Sequence, residues 1–388
     1  MEIVIPHIIS IVVSFAAVCF IHPLLVKIAI KKHIVDSPNE RKFQDAPVPT
    51  MGGIAVFFGI AVSLVCTTVF TGISLPPALI AALFTMLCLG TLDDISDIPP
   101  VVRLIVQAVA VLALMFFCGY SLDNLHGLWG LDVIPLAAAL PLTLFSVVGI
   151  INAMNLIDGV DGLSSGLCIL YSTVFGIAFI LAGDTAMTVM CLSAIGALIP
   201  FFMHNAFGRT SKMYIGNGGT MLMGLMLSVA VTVMVGDETF VSIFDARGYS
   251  VVPFTMAVLS IPVFDTLRVM TRRILHGTSP FHADRTHLHH MFIRLGFSHV
   301  GTTLRITALN CMVIGIWALS AYLGADTDLQ FYIVIAAGTL ATAGLYATVE
   351  AIERRYPEQT ARFIEHNFRT KPKRDGIFLF LQKLMDSI

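Results

Sequence analysis

Apolar stretches long enough to cross a bilayer recur along almost the whole chain, near residues 3–30, 51–70, 75–91, 103–120, 133–153, 163–182, 186–204, 217–236, 251–270, 304–323 and 329–348. A hydrocarbon core about 30 Å thick needs roughly 20 such residues in helical form. Inside it only helices or closed barrels satisfy every backbone N–H and C=O. Continuous apolar runs, rather than alternating ones, favour helices. The fold class expected is an all-α polytopic membrane protein with about eleven transmembrane helices. A mean hydropathy of +0.86 and a charged fraction of 12% agree, because a soluble domain carries about 25% charged residues.

Charge gives an orientation. If the spans alternate, the loops at 31–50, 92–102, 154–162, 205–216 and 271–303 share one side with the segment after 349. Of the 23 Lys and Arg residues, only Arg247 falls on the other side. The positive-inside rule then places the N-terminus outside, in the periplasm, and the C-terminus in the cytoplasm. The expected organisation is one integral membrane domain, 1–348, with those loops cytoplasmic, followed by a basic amphipathic tail, 349–388. The tail carries Arg369, Lys371, Lys373 and Arg374 ahead of an apolar segment, a pattern suited to an anionic leaflet surface or to a poorly ordered terminus. The seven cysteines are scattered through apolar runs without metal-type spacing. The first stretch lacks a basic n-region and a small-x-small cleavage site, and reads as a retained helix.

Every dense polar cluster falls on the basic side. That distribution suits an enzyme that joins soluble substrates to a lipid; a transporter places ionisable groups near the bilayer midplane. No nucleic-acid partner is expected. Asp93 and Asp94, with Asp97 after them, repel one another unless a divalent cation or a cationic partner neutralises them. The plain alternative is a solvated helix end stopped by Pro99-Pro100. In Asn152-Ala-Met-Asn-Leu-Ile-Asp-Gly-Val-Asp-Gly162 a polar residue recurs every third position. A helical turn would put Asp158 and Asp161 on one face, and oxygen donors of this kind suit magnesium or a polar substrate. Helix termination is the alternative.

Met213-Tyr-Ile-Gly-Asn-Gly-Gly-Thr220 reads as a glycine-rich helix start whose N–H groups can face a phosphate, or as a packing turn. The loop holding Arg272, Arg273, His282, Asp284, Arg285, His287, His289 and His290 suits phosphate oxygens and sugar hydroxyls. Zinc lacks a completed ligand set there. Asp265 stands three residues before Arg268, a spacing for an intrahelical ion pair. Arg41-Lys42 supplies cations in the first loop, and Pro47-Val-Pro-Thr-Met-Gly-Gly53 specifies a rigid turn into the second helix.

Five pieces in order, PTMGG at 49–53, LDD at 92–94, NAMNLIDGVDGL at 152–163, YIGNGGT at 214–220 and SPFHADRTHLHH at 279–290, resemble the polyprenyl-phosphate N-acetylhexosamine-1-phosphate transferase family over nearly the whole chain. His287-Leu-His289-His290 is similar to the WecA and TagO branch, whereas MraY proteins carry three consecutive histidines. The resemblance implies magnesium-dependent transfer, with manganese as a substitute, of N-acetylhexosamine 1-phosphate from a UDP-sugar to undecaprenyl phosphate. UMP is released, and N-acetylglucosamine is the expected sugar. It implies an enzyme of the bacterial inner membrane whose active site faces the cytoplasm, with a homodimer as one assembly state.

Carried over by position, the resemblance makes Asp93 and Asp94 catalytic, Asp93 orienting the lipid phosphate or taking its proton. It makes Asn155 and Asn217 metal-side residues, and Asn152, Asp158, Asp161, Lys42, Arg272, Arg285, His287, His289 and His290 substrate-binding. One position departs: the family carries Asp where this chain has Asn217. A rearranged metal site, an impaired homologue and an introduced substitution are all consistent with that change. A lipid or nucleotide-sugar transporter and a non-catalytic binding homologue are the other functional readings.

Overall fold

The computed structural model describes residues 4–36, 47–280, 284–369 and 376–387. Arg41, Lys42, His282, Lys371, Lys373 and Arg374 lie outside the described residues. In chain order the helices are α1 (Val4–Lys31), α2 (Gly52–Thr71), α3 (Pro77–Ser96), α4 (Pro100–Cys118), α5 (Leu136–Leu156), α6 (Leu163–Ala182), α7 (Thr185–Phe207) and α8 (Gly216–Gly236). They continue with α9 (Glu238–Asp245), α10 (Val251–Val258), α11 (Ser260–Leu275), α12 (Leu288–Arg294), α13 (His299–Tyr322) and α14 (Thr327–Thr339). A π turn at Leu340–Gly344 leads into α15 (Leu345–Arg355), followed by α16 (Pro357–Arg369) and α17 (Gly376–Ser387). Two short antiparallel ladders pair β1 (Val35–Asp36) with β2 (Val48–Pro49) and β3 (Asn124–Leu128) with β4 (Leu131–Val133).

The chain is an all-α, multi-pass membrane protein. Among the described residues ten helices are long and apolar enough to cross a membrane, and α10 with α11 makes an eleventh if counted as one broken span. That break is where the structure departs from the apolar pattern, which runs unbroken through 251–270. The two halves are bent by 74°. Pro262 has no N–H and its ring clashes with the carbonyl four residues back, so the helix cannot continue straight. Asn310 of α13 covers the exposed backbone: its Oδ1 accepts the Ile261 N–H at 3.1 Å and its Nδ2 donates to the Val258 carbonyl at 2.8 Å. Both groups would otherwise be unsatisfied at membrane depth.

Two compact units divide the chain, one of Met1–Tyr120, Ser164–Ala230 and Arg374–Ile388, the other of Ser121–Leu163 and Val231–Lys373. In the first, α1, α2 and α7 approach closely through small residues. A Cβ on Gly59 would strike Val18 and Ser14, and one on Gly196 would strike Ser14 and Ile11. Ser63 donates to the Ser10 carbonyl at 2.8 Å and bonds Ser193 at 2.9 Å. Small residues and hydroxyls are what bring membrane helices together where lipid removes the hydrophobic driving force. In the second unit Phe240, Phe244, Phe254, Tyr249 and Trp317 form a continuous aromatic cluster. Gln330 is buried beside it, accepting from Trp317 Nε1 and donating to the carbonyls of Gly248 and Ala325.

Candidate active site

In the first unit the site begins with glycines. Gly52 and Gly53 donate their N–H groups to the carbonyls of Tyr214 and Ile215 at 2.9 and 2.8 Å, while Tyr214 donates back to the Pro49 carbonyl at 2.8 Å. A Cβ on Gly53 would run into the backbone of Gly219, and one on Gly90 into that of Asn217 and Gly218. Backbone therefore lies on backbone, which only glycine permits. The turn at 49–53, the end of α3 and the start of α8 are held together by these contacts. The expected helix start at 216–220 is borne out: α8 opens at Gly216, whose φ is +69°.

This arrangement sets Asp93 and Asp94 against Asn217. Asp93 is buried, and its Oδ2 accepts Arg103 Nη1 at 2.6 Å and Asn217 Nδ2 at 2.8 Å, while its Oδ1 accepts the Ile98 N–H at 2.9 Å. Asp94 Oδ1 accepts the Asn217 backbone N–H at 3.1 Å. The carboxylates sit in the last turn of α3, where the helix dipole is unfavourable to them, and the N-terminal end of α8 with the Arg103 guanidinium offsets that cost. A carboxylate only accepts hydrogen bonds, so Asn217 must turn its NH2 toward Asp93, leaving Oδ1 as its acceptor. An aspartate at 217 would instead set a third carboxylate beside the pair.

The second unit contains the 152–162 motif and the described part of the histidine loop. α5 ends at Leu156, and Asp158 and Asp161 stand in the turn before α6 rather than on a helical face. Gly162, with φ +76°, bends the chain there. Asn152 remains on α5 and donates to the Val148 carbonyl at 2.8 Å, and Asn155 lies one turn further along the same helix. Asp161 Oδ2 is 2.8 Å from His299 Nδ1, and its carbonyl accepts from Thr303 at 3.1 Å. A Cβ on Gly159 would meet the imidazole of His289, so the 152–162 motif and the histidine loop touch.

That loop is held by buried ion pairs. Asp265 accepts Arg268 through Oδ1 at 2.7 Å, the intrahelical pair expected from spacing, and His287 Nδ1 through Oδ2 at 2.9 Å. Arg268 also lies over the Tyr346 ring at 4.1 Å. Arg273, buried, donates to Asp284 at 3.0 Å and to the Pro280 carbonyl at 2.6 Å. Burial alone would raise Asp284, but Arg273 and Thr286 hold its carboxyl well below the usual carboxylate range. The rings of His287 and His289 are parallel at 5.7 Å, and those of His289 and His290 are 4.2 Å apart. His287 Nε2 and His289 Nδ1 are buried and have no hydrogen-bond partner among the described residues. Arg285 is exposed. Arg272 reaches away to Glu350 at 3.1 Å and over Tyr346.

Burial first, then the neighbouring His290 and His287, holds His289 well below its ordinary range; burial, His287 and Arg285 bring His290 down to about 4. The folded chain keeps both imidazoles neutral, whereas the unfolded chain protonates them near 6.5. Between these values the unfolded state binds more protons, so stability falls as pH drops from about 6.5 toward 4 and is flat above about 7. Thermal unfolding in detergent from about pH 7.5 to 5 is expected to show this slope, and His290→Gln to flatten it. An unaltered slope in that variant would exclude His290 as a source.

Arg103 and His299 complete these sets without standing out in the sequence as site residues. A single cation opening an otherwise apolar helix, ten residues past the acidic pair, was the available signal for Arg103. His299 offered none, being 138 residues from its partner Asp161.

Comparison with known proteins gives this geometry its relatives. Residues 76–235, from α3 to the end of α8, match the family model described as glycosyl transferase family 4. The undecaprenyl-phosphate alpha-N-acetylglucosaminyl 1-phosphate transferase of Escherichia coli K12 is 31% identical over 304 residues, covering 76% of this chain and 79% of that protein. Its Yersinia pestis counterpart is 32% identical, covering 70% and 73%. A probable undecaprenyl-phosphate N-acetylglucosaminyl 1-phosphate transferase of Bacillus subtilis is 30% identical, covering 81% and 84%. With identity at this level across most of both chains, and with the acidic pair and the glycine-rich helix start inside the matched region, the chain belongs to glycosyl transferase family 4.

Proposed function

We propose that this protein transfers N-acetylglucosamine 1-phosphate from UDP-N-acetylglucosamine to undecaprenyl phosphate in the bacterial cytoplasmic membrane, releasing UMP and starting a lipid-linked surface glycan. The observation that carries the reading is the Asp93–Asp94 pair, met by the start of α8 and by Arg103, in a member of this family. A phosphate oxygen of the lipid attacks the β-phosphorus of the sugar nucleotide, and the bond from that phosphorus to the UMP oxygen breaks. Such a transfer asks the protein for positioning and charge neutralisation more than for covalent chemistry.

Asp93 already holds three donors, and its role is to fix Arg103 and Asn217. Asp94 is assigned to orient the lipid phosphate and take its proton. The His287 Nδ1–H donates to Asp265, which leaves Nε2 as the ring atom available to the sugar nucleotide. Arg285 suits the diphosphate, and Asp158 and Asp161 suit nucleotide hydroxyls. The carboxylate of Asp94 and the amide oxygen of Asn217 are oxygen donors, which fit magnesium. Magnesium needs only one or two protein oxygens beside waters and substrate phosphates. Asp94 and Asn217 Oδ1 would hold the ion, which when bound would neutralise the diphosphate and polarise its phosphorus. The one-sided distribution of Lys and Arg supports a cytoplasmic active site.

The test is UMP release by the purified chain with undecaprenyl phosphate, magnesium and a panel of UDP-sugars, run beside Asn217→Asp. Release with UDP-N-acetylglucosamine is expected, and the variant is expected to need roughly ten-fold less magnesium for half-maximal rate, since it adds a charged ligand. No release with any donor would overturn the activity. Unchanged magnesium dependence would remove Asn217 from the metal set. The second reading, a binding homologue, rests on Asn217 meeting Asp93 through a neutral amide; nucleotide binding without turnover, regained in Asn217→Asp, would favour it.

A further inference from the structure

We propose that Asp386, on α17, is a positioning residue that clamps the loop delivering Asn217 to the acidic pair. The catalytic consequence rests on the activity proposed above; the clamp itself does not.

The loop between α7 and α8 is anchored at nearly every residue. At its start, Oδ1 of Asp386 accepts three successive backbone N–H groups, those of Arg209 and Thr210 at 2.9 Å and of Ser211 at 3.1 Å, together with the Ser211 hydroxyl at 3.1 Å. Successive N–H groups converging on one point form an anion-binding nest, and here a side chain of the protein fills it. Burial alone would raise Asp386, but these bonds hold its carboxyl below the usual range, so the carboxylate stays charged at neutral pH.

Ser211 passes the constraint on. Its hydroxyl donates to the carboxylate, so His204 Nδ1, 3.0 Å away, must be the donor to Ser211 Oγ. His22 Nε2 donates to the Ser211 carbonyl at 2.8 Å, and the rings of His22 and His204 stack at 4.1 Å. Next along the chain, Asn205 Nδ2 donates to the Met213 carbonyl at 2.9 Å. Tyr214 and Ile215 are bound to the 49–53 turn, and Asn217 then meets Asp93 and Asp94. A displacement at 209–211 therefore runs directly into the acidic pair.

α17 is built to sit where the clamp needs it. Phe378 packs edge-on to Phe207 at the end of α7, and Met385 is buried, while Ile377, Phe380 and Leu384 form an exposed apolar row. That row, at helical spacing and turned away from Phe378 and Met385, suits a membrane surface.

Arg209 and Lys212 lie in the clamped segment, so trypsin reports on the clamp independently of activity. The experiment compares the full chain with Asp386→Ala and Asp386→Asn in detergent, measuring cleavage at Arg209 and Lys212 together with kcat and KM for UDP-N-acetylglucosamine. Asp386→Ala is expected to be cut about ten-fold faster. Its kcat should fall about ten-fold with KM within about two-fold, because the clamp touches none of the residues assigned to the sugar nucleotide. Asp386→Asn keeps an acceptor at Oδ1 and is expected to regain most of both properties. Equal cleavage rates in wild type and Asp386→Ala would overturn the clamp. Faster cleavage with unchanged kcat, or a change in KM alone, would overturn the positioning role. If the wild type releases no UMP, the activity reading fails by itself and the cleavage comparison still decides the clamp.

Discussion

Asp94→Ala is expected to lower UMP release at least about 10³-fold while leaving the unfolding temperature within a few degrees of wild type. Asp94 accepts the N–H that opens α8 and stands in the oxygen set assigned to magnesium and the lipid phosphate. Loss of one group aimed at developing charge in a low-dielectric site costs on the order of 10²–10³ in turnover, and a metal ligand adds to that. The neighbouring carboxylate should behave differently. Asp93→Ala strands Arg103, whose side chain is about a quarter exposed, and leaves the Asn217 amide without its acceptor. Removing one partner of a largely buried pair costs about 3 kcal/mol, so Asp93→Ala should lower both rate and unfolding temperature. Turnover and thermal unfolding, measured on the two variants side by side, check this. An equal fall in unfolding temperature for both would contradict the division of labour between adjacent aspartates.

Asp265→Ala should be the most damaging change in the second unit. Asp265 is 1% exposed and neutralises Arg268 while fixing His287 and the Leu288 N–H. Without it a guanidinium remains buried among groups unable to neutralise it, a situation that costs about 3–5 kcal/mol. His287 also loses the acceptor that selects its tautomer and aims its ring. The expected result is a lower unfolding temperature and a fall of at least about 100-fold in kcat/KM for the sugar nucleotide. Asp265→Asn separates the two effects, since its amide can still accept from His287 while the charge is gone. Retention of wild-type kcat/KM in Asp265→Ala would show that His287 needs no such support.

The spans were legible because lipid demands a continuous run of apolar residues, and hydropathy alone records that demand. It could not see the 74° break between α10 and α11, because Ser260 and Pro262 barely interrupt an apolar run and Asn310, which makes the break tolerable, lies some fifty residues away. The polar clusters were legible one at a time, since Asp93-Asp94, the 152–162 motif and the 279–290 loop each carry an unusual local density of donors and acceptors. Their partners were not. Arg103, Asp265 as the support of His287, and His299 as the partner of Asp161 are defined by contacts made across the chain. Asp386 is the extreme case: in sequence it is an ordinary polar residue of an amphipathic segment, and its significance lies in three N–H groups aimed at one point.

The distance along the chain between that carboxylate and its loop sets a schedule for biogenesis. Asp386 follows Ser211 by 175 residues. At a synthesis rate of about 5–20 residues per second, the loop waits roughly 10–35 seconds between its own emergence and that of its clamp. The 49–53 turn waits as well, for Tyr214 and Ile215. A chain whose α17 has not yet emerged thus has the loop before Asn217 unclamped, and transfer competence should arrive only after α17 has docked.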